Sequence, residues 1–377
     1  MKRHIVIDAR VRRSSTGRYA DELVNHLQDV DNYNNYTVLV APDDDWKMRA
    51  GNFRTVPSPF PQFSFNPLNE LRFAWQLYCL KPDLVHFTMT QQPLLYFGKI
   101  VTTTHDLTMF QYAHPKGTHP AIFWIKMRLY HFLMWLAHRK SRRIIVPTHH
   151  AAGEVAEFQP FTKDKLVVTY ESVGVPLNVT PKRPEVVPDN YIMYQGTGFP
   201  HKNLPKLVEA FDILHPHYPD LYLVFVGKKE KHYNDLEREI KRHPSASHII
   251  VAGFLPDPES KWTFQHARVY ATPSLAEGWG MTPLEAMANG APVVSSNASA
   301  MPEVYGEGAL YCDPHSAQDI ADKIAMVLDD AQLRKDLIQK GTAQYQKYSW
   351  ATMAKQTLDI YEDVLAPENG QHKPKAI

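Results

Sequence analysis

Cysteine is scarce in this sequence, and long apolar runs are missing. Among 377 residues only Cys79 and Cys312 are cysteines, which excludes a disulfide framework and a cysteine-rich zinc site and fits a reducing cytosol. No charge-free apolar run approaches the roughly 20 residues of a membrane helix, and Asp8 and Arg10 interrupt any signal-peptide-like apolar region. We therefore expect a cytoplasmic protein that does not span a membrane.

An excess of charge of one sign is also missing. The 41 lysines and arginines nearly balance the 40 aspartates and glutamates, leaving a formal net charge of +1, so no global field draws the chain to nucleic acid. The dinucleotide fingerprint G-x-G-x-x-G is absent, which disfavours a nicotinamide-dependent dehydrogenase. With 44% apolar and 21% charged residues, the composition is that of a globular protein, and the length favours two domains.

Short β-branched runs alternate with amphipathic stretches along both halves of the chain. This rhythm predicts parallel strands covered by helices on both faces, and therefore an α/β fold of two doubly wound, Rossmann-like sheets. The predicted strands are His4–Ala9, Tyr36–Ala41, Asp83–Phe87, Ile100–Thr104, Ile144–Pro147 and Leu166–Thr169, then Tyr191–Gln195, Leu221–Val226, Ile249–Ala252, Val269–Thr272 and Pro292–Ser295. Three further helices are predicted between about Ala317 and Leu365.

Between the two halves, residues 174–189 are rich in proline and show no periodicity, which indicates an interdomain linker. We predict a first domain over residues 1–177, a linker over 178–188 and a second domain over 189–349. The polar residues 367–377 are expected to form a loose tail.

Ligands of open parallel sheets bind at the carboxyl ends of the strands, so the loops there are the candidate functional segments. In the first domain, residues 10–18 contain four arginines and Gly17, which suits an anion beside a helix N-terminus; a solvated basic loop explains them equally well. His105 directly follows a predicted strand, and histidine exchanges protons near neutral pH. A histidine that only fills the core or caps an element is the competing interpretation.

In the second domain, the strand Tyr191–Gln195 leads through a glycine-rich turn to Lys202, just before a helix for which Asn203 is the expected N-cap. An exposed lysine at a helix N-terminus opposes the helix dipole and destabilises the helix by about 0.3–1 kcal/mol. With a diphosphate bound there, the lysine and the helix amides would both attract the same anion, and the lysine would become favourable. We therefore favour phosphate binding by Lys202 over a tolerated surface lysine.

The segment Ser274–Gly290 carries two glutamates. Thr282 is predicted to cap a short helix that starts at Pro283, with Glu285 completing a capping box. The capping box accounts for Glu285 without any ligand, but it leaves Glu277 unexplained in its glycine-rich loop. Because carboxylates accept hydrogen bonds from sugar hydroxyls and the helix start attracts phosphate, the pair suits a nucleotide sugar.

The stretch from Glu277 to Glu285, continuing as AMANGAPVVSSNASAMPEV, resembles the signature of the family 4 retaining glycosyltransferases, which are glycosyl transferases of group 1 with the GT-B fold. The Lys202-Asn203 turn, the GFLPD segment at 253–257 and the loop ending at Gly17 extend the resemblance over nearly the whole chain. It is mannosyltransferase-like. It implies two domains facing across a cleft, with the final helix, residues 350–366, packing back on the first domain.

The resemblance also implies roles for the matching residues. As catalytic residues it implies His105 near the reacting centre, Glu277 on the donor-sugar hydroxyls and Lys202 on the departing diphosphate. The further donor-binding positions include Gly17, in a loop that closes over the diphosphate, and Thr197. Phe254 and Leu255 would lie beside the nucleobase. Gly280, Met281 and Thr282 would face the phosphate and the sugar, and Glu285 would bind the ribose. Thr197 departs from the family pattern, because many members have an arginine there as a second phosphate ligand.

The implied reaction moves mannose or glucose from GDP-mannose or a UDP-hexose to a glycan or lipid-linked acceptor, with retention and without a metal or cofactor. Mannose is slightly favoured by the resemblance. Two other functions stay open: a nucleotide-sugar epimerase on the same fold, which needs no acceptor, and a donor-binding protein without transfer activity.

Two further segments have competing interpretations. The triplet Asp43–Asp45 looks like an acidic metal-binding motif, but a solvated acidic loop is favoured. Residues 122–135 are apolar and aromatic, and basic residues flank them through Arg143. This segment is predicted to form a helix that packs on the first-domain sheet; the alternative is a helix lying on the inner face of an anionic membrane.

Overall fold

The computed structural model describes residues 2–12, 16–61, 66–112, 119–174 and 179–367. Tertiary contacts group the chain into two units, the first consisting of Met1–Glu171 and Ser349–Ile377 and the second of Ser172–Tyr348. Positions 175–178, next to the predicted linker, and the predicted tail beyond residue 367 lie outside the described residues.

The first unit is built on a parallel sheet of seven strands. These are β1 (His4–Asp8), β2 (Asn35–Val40), β3 (Phe53–Pro57), β4 (Leu84–Phe87), β5 (Ile100–Thr103), β6 (Arg143–Val146) and β7 (Leu166–Val168). Its helices are α1 (Gly17–Val30), α2 (Pro67–Leu80), α3 (Thr108–Tyr112), α4 (Pro120–Lys140), α5 (His149–Phe158) and, from the end of the chain, α13 (Trp350–Leu365). The strand order is β3-β2-β1-β4-β5-β6-β7, and α13 packs on α1.

The second unit repeats the design with six parallel strands. These are β8 (Tyr191–Gln195), β9 (Tyr222–Val226), β10 (Ile249–Gly253), β11 (Val269–Thr272), β12 (Val293–Ser296) and β13 (Ala309–Cys312). The helices are α6 (Leu204–Leu214), α7 (Lys231–Ile240), α8 (Asp257–His266), α9 (Met281–Ala288), α10 (Met301–Tyr305), α11 (Ala317–Asp329) and α12 (Ala331–Tyr345). The order is β10-β9-β8-β11-β12-β13, so the predicted class, two doubly wound parallel sheets, is confirmed.

Helices on both faces bury the central strands completely, which is why those strands read as continuous apolar runs. Ile5, Val6 and Ile7 of β1 are 0% exposed, and so are Ile192 and Met193 of β8. Sequence analysis missed β3 and β13, and both are edge strands. An edge strand is covered less evenly, and the mixed burial of FRTVP in β3 gives no clear apolar signal.

One predicted helix packs less than expected. Among the residues of α4, only Met134, Ala137 and His138 are buried, so the expectation that this helix packs on the sheet holds for its last two turns alone. Within the described ranges, no helix combines the length and the apolarity that crossing a bilayer requires.

The strand orders show which loops are the candidate ligand-binding loops. In each sheet the chain winds one way from its first strand and then the other way, which places the topological switch between β1 and β4 and between β8 and β11. Loops that leave the carboxyl ends of two such strands diverge to opposite faces and leave a crevice between them. In the second unit, these loops contain residues 196–203 and 273–280.

Candidate active site

The two loops at the β8/β11 switch meet in an ion pair. The Lys202 Nζ lies 2.7 Å from each carboxylate oxygen of Glu277, and both side chains are mostly buried, at 17% and 15% exposure. Lys202 ends a short 3₁₀ turn before α6, whereas Glu277 comes from the loop before α9. The structure therefore brings together two of the predicted catalytic residues.

Backbone and amide contacts hold these loops together. The Leu275 amide donates to the His201 carbonyl at 2.7 Å. Asn203 has a left-handed backbone at φ 58° and makes no side-chain cap to α6; instead its amide nitrogen donates to the carbonyls of Pro273 and Pro314. The predicted N-cap position of Asn203 is therefore confirmed, but its side chain does not cap the helix; it joins the β8 loop to the loops after β11 and β13.

Ser299 holds Glu277 in place, and sequence analysis did not single it out. Its hydroxyl donates to the Glu277 carbonyl at 2.9 Å and lies 3.2 Å from the Glu277 amide. Ser299 follows β12 and has a positive φ of 55°, an uncommon conformation for a residue other than glycine. The only signal was its position inside the family-like stretch after Glu285.

Helix α9 begins two residues earlier than predicted. It starts at Met281, with Gly280 at the N-cap position in the left-handed region at φ 77° and without a side-chain cap. Thr282 is thus the second helical residue, and its predicted capping box with Glu285 is wrong, because the glycine conformation turns the chain into the helix. Glu285 is buried, at 8% exposure, and Gly290 ends the helix with a φ of 79° as expected.

The start of α9 lies beside the ion pair. A Cβ atom built on Gly280 would sit 3.7 Å from the Glu277 Cβ. Helix starts leave amide groups without intrahelical partners and carry a partial positive charge. A lysine ammonium, a carboxylate and a helix N-terminus therefore lie close together, an arrangement that chemically suits an anion with neighbouring hydroxyl groups.

Buried tyrosines fix the carbonyls of the same loops. Each tyrosine hydroxyl donates a hydrogen bond to a backbone carbonyl. The pairs are Tyr194 with Thr197 at 2.9 Å, Tyr233 with Gly196 at 3.0 Å, Tyr270 with Gln195 at 3.0 Å and Tyr305 with Gly280 at 2.8 Å. Burial raises the pKa of each phenol above its usual value, so the hydroxyls stay protonated. Sequence analysis missed this set, since the tyrosines lie on separate elements and share no local motif.

Thr197 carries no charge for a phosphate, but lysines follow the neighbouring strand. Lys228 and Lys229 come directly after β9 and Gly227, and Lys229 pairs with Glu237 at 2.9 Å. The Lys229 side chain approaches Gly253, whose φ is +81°. In the GFLPD loop after Gly253, Phe254 is 65% exposed and Leu255 is buried, so Phe254 is the side chain that the loop presents.

Two arginines of the basic loop in the first unit are paired with carboxylates. Arg10 donates to both carboxylate oxygens of Asp8 at 2.8 and 2.7 Å, and Arg12 binds Asp44 and Asp21 at 2.7 and 2.6 Å. Arg18 lies 3.9 Å from Glu22, and Arg13 lies outside the described residues. Binding of an anion by this loop therefore stays a prediction.

Two neighbouring predictions concern the same loop. Gly17 begins α1, and a Cβ atom there would lie 2.1 Å from the Arg12 carbonyl oxygen, so the close backbone approach requires a glycine. Its role in closing over a diphosphate stays a prediction. Asp43 and Asp45 are exposed, as expected for a solvated acidic loop, whereas Asp44 is buried against Arg12.

His105 lies at the carboxyl end of β5 with both ring nitrogens facing acceptors. Its Nδ1 is 3.1 Å from a Glu171 carboxylate oxygen, and its Nε2 is 3.1 Å from the Thr88 carbonyl. Burial opposes the charged ring, but the hydrogen bond and charge of Glu171, with a smaller contribution from Asp106, outweigh it and raise the pKa of His105. A ring that donates on both sides suits a fixed positive charge better than a general base.

Two family models match this chain, one in its first half and one in its second half. The model of the family described as Glycosyltransferase Family 4 matches residues 16–175, and the model described as Glycosyl transferases group 1 matches residues 179–344. The chain belongs to the family 4 glycosyltransferases. The resemblance noted from the Glu277–Glu285 stretch is thereby confirmed.

Several curated relatives of the glycosyltransferase are named for mannose transfer, and others are named D-inositol 3-phosphate glycosyltransferases. The O-antigen chain mannosyltransferase B of Escherichia coli is 27% identical over 315 residues, which is 79% of each chain. The serotype-specific mannosyltransferase WbdA of Escherichia coli is 29% identical over 240 residues, which is 60% of this chain but only 29% of that longer relative.

Solved structures establish the GT-B fold of the glycosyltransferase. Sucrose-phosphate synthase from Thermosynechococcus elongatus aligns with a TM-score of 0.77 at 15% identity, over 96% of this chain and 99% of that one. Anabaena HepE in complex with UDP-glucose aligns with a TM-score of 0.71, also at 15% identity, with coverage of 96% and 99%.

We expect the contact between His105 and Glu171 to make the stability of the glycosyltransferase depend on pH. Because the folded pKa of His105 is raised, its stabilising contribution is fully present below the unfolded pKa of about 6.5 and is lost as pH rises through the folded pKa. Thermal melts of the wild type and of Glu171→Gln should therefore differ most below about pH 6.5 and converge at alkaline pH. A constant difference across this range would exclude the linkage.

Glu171 was within reach of sequence analysis. It follows the predicted strand Leu166–Thr169 at its carboxyl end, which is where a functional carboxylate belongs in a parallel sheet. Its contact with His105 spans 66 residues, and no local spacing shows that two such side chains meet.

Proposed function

We propose that this glycosyltransferase moves a hexose from a nucleotide-diphosphate sugar to a glycan or lipid-linked acceptor with retention of configuration. The observation that carries the proposal is the Lys202–Glu277 ion pair, 2.7 Å long, beside the Gly280 start of α9. A donor of this class offers both a diphosphate for the cation and the helix start, and hydroxyls for the carboxylate.

Each part of the donor has a matching group in the second unit. In this proposal the diphosphate binds Lys202 and the amides of Met281 and Thr282, and Glu277 accepts hydrogen bonds from the sugar. The buried Glu285 accepts hydrogen bonds from the ribose hydroxyls. The exposed ring of Phe254 borders the nucleobase, and Lys228 or Lys229 supplies positive charge that Thr197 does not.

The proposed chemistry breaks the bond between the anomeric carbon and the diphosphate oxygen. The acceptor oxygen bonds to the same face of that carbon, and its proton passes to the leaving diphosphate. The helix start and Lys202 stabilise the charge that develops on the diphosphate, which is the work that a metal ion does in other transferases. We therefore expect transfer without a metal. The roles implied for Gly17 and His105 in the first unit stay predictions.

Mannose is the preferred sugar of this proposal. Both Escherichia coli relatives described above are named mannosyltransferases. HepE is described in complex with UDP-glucose, but its 15% identity supports only a shared fold. GDP-mannose is accordingly the first donor to test, and UDP-glucose is the second.

The test is a thermal-shift panel with GDP-mannose, UDP-glucose, GDP, UDP and NAD. A ligand at about 100 times its Kd stabilises the folded state by about 2.7 kcal/mol, so the true donor should raise Tm clearly and NAD should not. The stabilising donor is then incubated with mannose-terminated oligosaccharides and with lipid-linked saccharides. The anomeric configuration of the product is read by NMR, with and without EDTA.

The outcomes separate the alternatives. An α-linked product formed from an α-linked donor at an unchanged rate in EDTA supports the proposal. An epimeric sugar nucleotide formed without acceptor would identify an epimerase, and binding without turnover toward any acceptor would favour a donor-binding protein. If no nucleotide sugar raises Tm, the site assignment fails.

A further inference from the structure

A small pocket lies at the β1/β4 switch of the first unit. Arg10 follows β1, Phe60 follows β3 and Gln92 follows β4, and the first turns of α2 contribute Glu70 and Phe73. Because these loops leave the carboxyl ends of parallel strands, the pocket occupies the position where a doubly wound sheet binds its ligands. Its volume is about 10 Å³, which is room for one hydroxyl or one water.

Gln92 presents a polar atom without a partner. Its side chain is buried, at 7% exposure, and its Nε2 donates to the Thr102 hydroxyl at 3.1 Å. Among the residues that the structure describes, no donor lies within hydrogen-bonding distance of the Gln92 Oε1. Buried polar atoms are nearly always hydrogen-bonded, so this oxygen marks a place for a hydrogen-bond donor.

A chain of hydroxyls fixes the orientation of the Gln92 amide. The Ser141 hydroxyl donates to the Ala137 carbonyl at 2.7 Å, and this uses its single proton. The Thr102 hydroxyl, 2.7 Å from the Ser141 oxygen, must therefore donate to Ser141 and accept from Gln92. Only the Nε2 of the amide can donate. A flipped amide would bring two acceptors together, so the Gln92 Oε1 is a fixed acceptor.

The charges that line the pocket balance each other. Arg10 donates twice to Asp8 and once to the Phe60 carbonyl, and it lies within electrostatic range of the Glu70 carboxylate. Lys140 also acts on Glu70, but its ammonium donates to backbone carbonyls of the loop after β4. In the described part of the lining, the acceptor is fixed and the cation is already bound, which suits a neutral hydroxyl better than a phosphate.

We propose that this pocket binds one hydroxyl of a neutral saccharide, the acceptor of the transfer, and that this hydroxyl donates to the Gln92 Oε1. Gln92 then determines specificity, because a saccharide without that hydroxyl leaves the buried oxygen unpaired. The partly exposed Phe60 ring gives the apolar face of the sugar a surface to pack on. The role as acceptor rests on the proposed sugar transfer, whereas the hydroxyl contact can be measured without it.

The first experiment measures saccharide binding without donor or turnover. The full chain is titrated by saturation-transfer NMR with the methyl α-glycosides of mannose, glucose and galactose, and with each monodeoxy form of the best binder. We expect one hydroxyl whose removal raises the Kd for the wild type at least about tenfold. Gln92→Met keeps most of the side-chain volume without the amide. Its Kd for the parent glycoside should rise by a similar factor and should not rise further with that deoxy form.

Gln76 supplies the matched control. It lies on α2, accepts from the Ser58 hydroxyl at 2.9 Å and donates to the Pro57 carbonyl at 3.0 Å, and it does not belong to the pocket lining. Gln76→Met should bind the glycosides like the wild type although it loses both hydrogen bonds. The comparison of deoxy forms needs only the wild type, so it does not depend on how well Gln92→Met folds.

Four results would overturn the proposal. The wild type might bind none of the glycosides, both glutamine variants might lose binding equally, or inorganic phosphate might displace the glycoside. The fourth is a Gln92→Met variant whose Tm changes while its glycoside binding does not, which would mean that the oxygen holds a water inside the fold.

A kinetic measurement separates this pocket from the donor site. If a nucleotide sugar raises Tm, Gln92→Met should raise the acceptor KM about tenfold and leave the donor-induced rise in Tm unchanged; an unchanged acceptor KM contradicts the proposal. If no nucleotide sugar raises Tm but glycoside binding depends on Gln92, the proposed transfer fails and the hydroxyl site stands.

Discussion

Replacing Lys202 by methionine is expected to lower kcat/KM for sugar transfer by roughly 100- to 1000-fold. The ammonium lies 2.7 Å from both oxygens of Glu277, where a departing diphosphate needs its charge neutralised, and methionine keeps most of the side-chain volume without the charge. The measurement is initial rates with varied donor, together with the Kd of the nucleoside diphosphate by calorimetry.

A neighbouring lysine provides the matched control for this change. Lys206 lies in the first turn of α6 and pairs with Glu209, a contact at the surface that contributes little. Lys206→Met should therefore keep kcat/KM within about twofold of the wild type. An equal loss in both variants would show that the effect of Lys202 is not specific.

A double variant distinguishes catalysis from stability. Lys202→Met leaves the mostly buried Glu277 carboxylate without its counter-ion, so Tm should fall. Adding Glu277→Gln removes that charge and should restore much of the Tm, while kcat/KM stays low because neither the cation nor the carboxylate is present. If activity returns together with Tm, Lys202 serves the fold and not the reaction.

Substituting alanine for Gly280 is expected to reduce kcat/KM by about 100-fold or more. The new Cβ would lie 2.0 Å from the Tyr305 hydroxyl oxygen, and a left-handed backbone costs a non-glycine residue about 1–2 kcal/mol. The first turn of α9 must then move away from the ion pair. Steady-state kinetics and the donor-induced rise in Tm check this prediction.

The other end of the same helix supplies the control. Gly290 has nearly the same φ, +79°, but a Cβ there would meet no atom within 4 Å. Gly290→Ala should therefore lower Tm, because alanine is strained in a left-handed backbone, and it should keep kcat/KM close to that of the wild type. Comparable activity losses at both glycines would mean that backbone strain, not displacement of the α9 start, explains the effect.

Removing the Tyr305 hydroxyl tests the proposed clash directly. Tyr305→Phe alone loses one hydrogen bond to the Gly280 carbonyl, with a cost of about 1 kcal/mol. In combination with Gly280→Ala, the nearest ring atom is 3.2 Å away, so the double variant should recover part of the activity that Gly280→Ala loses. Additive losses would contradict this explanation.

The difference between what the sequence predicts and what the structure shows is clearest at this helix start. Thr282, Pro283 and Glu285 have the spacing of a capping box, a local pattern that is energetically sound. Gly280 nevertheless takes the N-cap position, because its left-handed backbone, held by Tyr305 from 25 residues away, lets the helix start earlier. A tertiary contact overrides the local preference.

For the central strands of both sheets, the sequence prediction agrees with the structure. Central strands such as β1, β8 and β11 lie within a residue of their predicted positions, because burial on both faces demands a continuous apolar run that is visible locally. At the edges that demand weakens, and the two strands that were not predicted, β3 and β13, are both edge strands.

By itself the sequence determined the doubly wound architecture and the family, and it pointed to the loops of the candidate site, since these depend on residue type and short spacing. Only the tertiary structure decided which side chains meet: Lys202 with Glu277 across 75 residues, Ser299 with the Glu277 backbone, and His105 with Glu171. It also decided that Asp8 and Asp44 neutralise Arg10 and Arg12. Strand order and register create these contacts, and a linear spacing encodes neither.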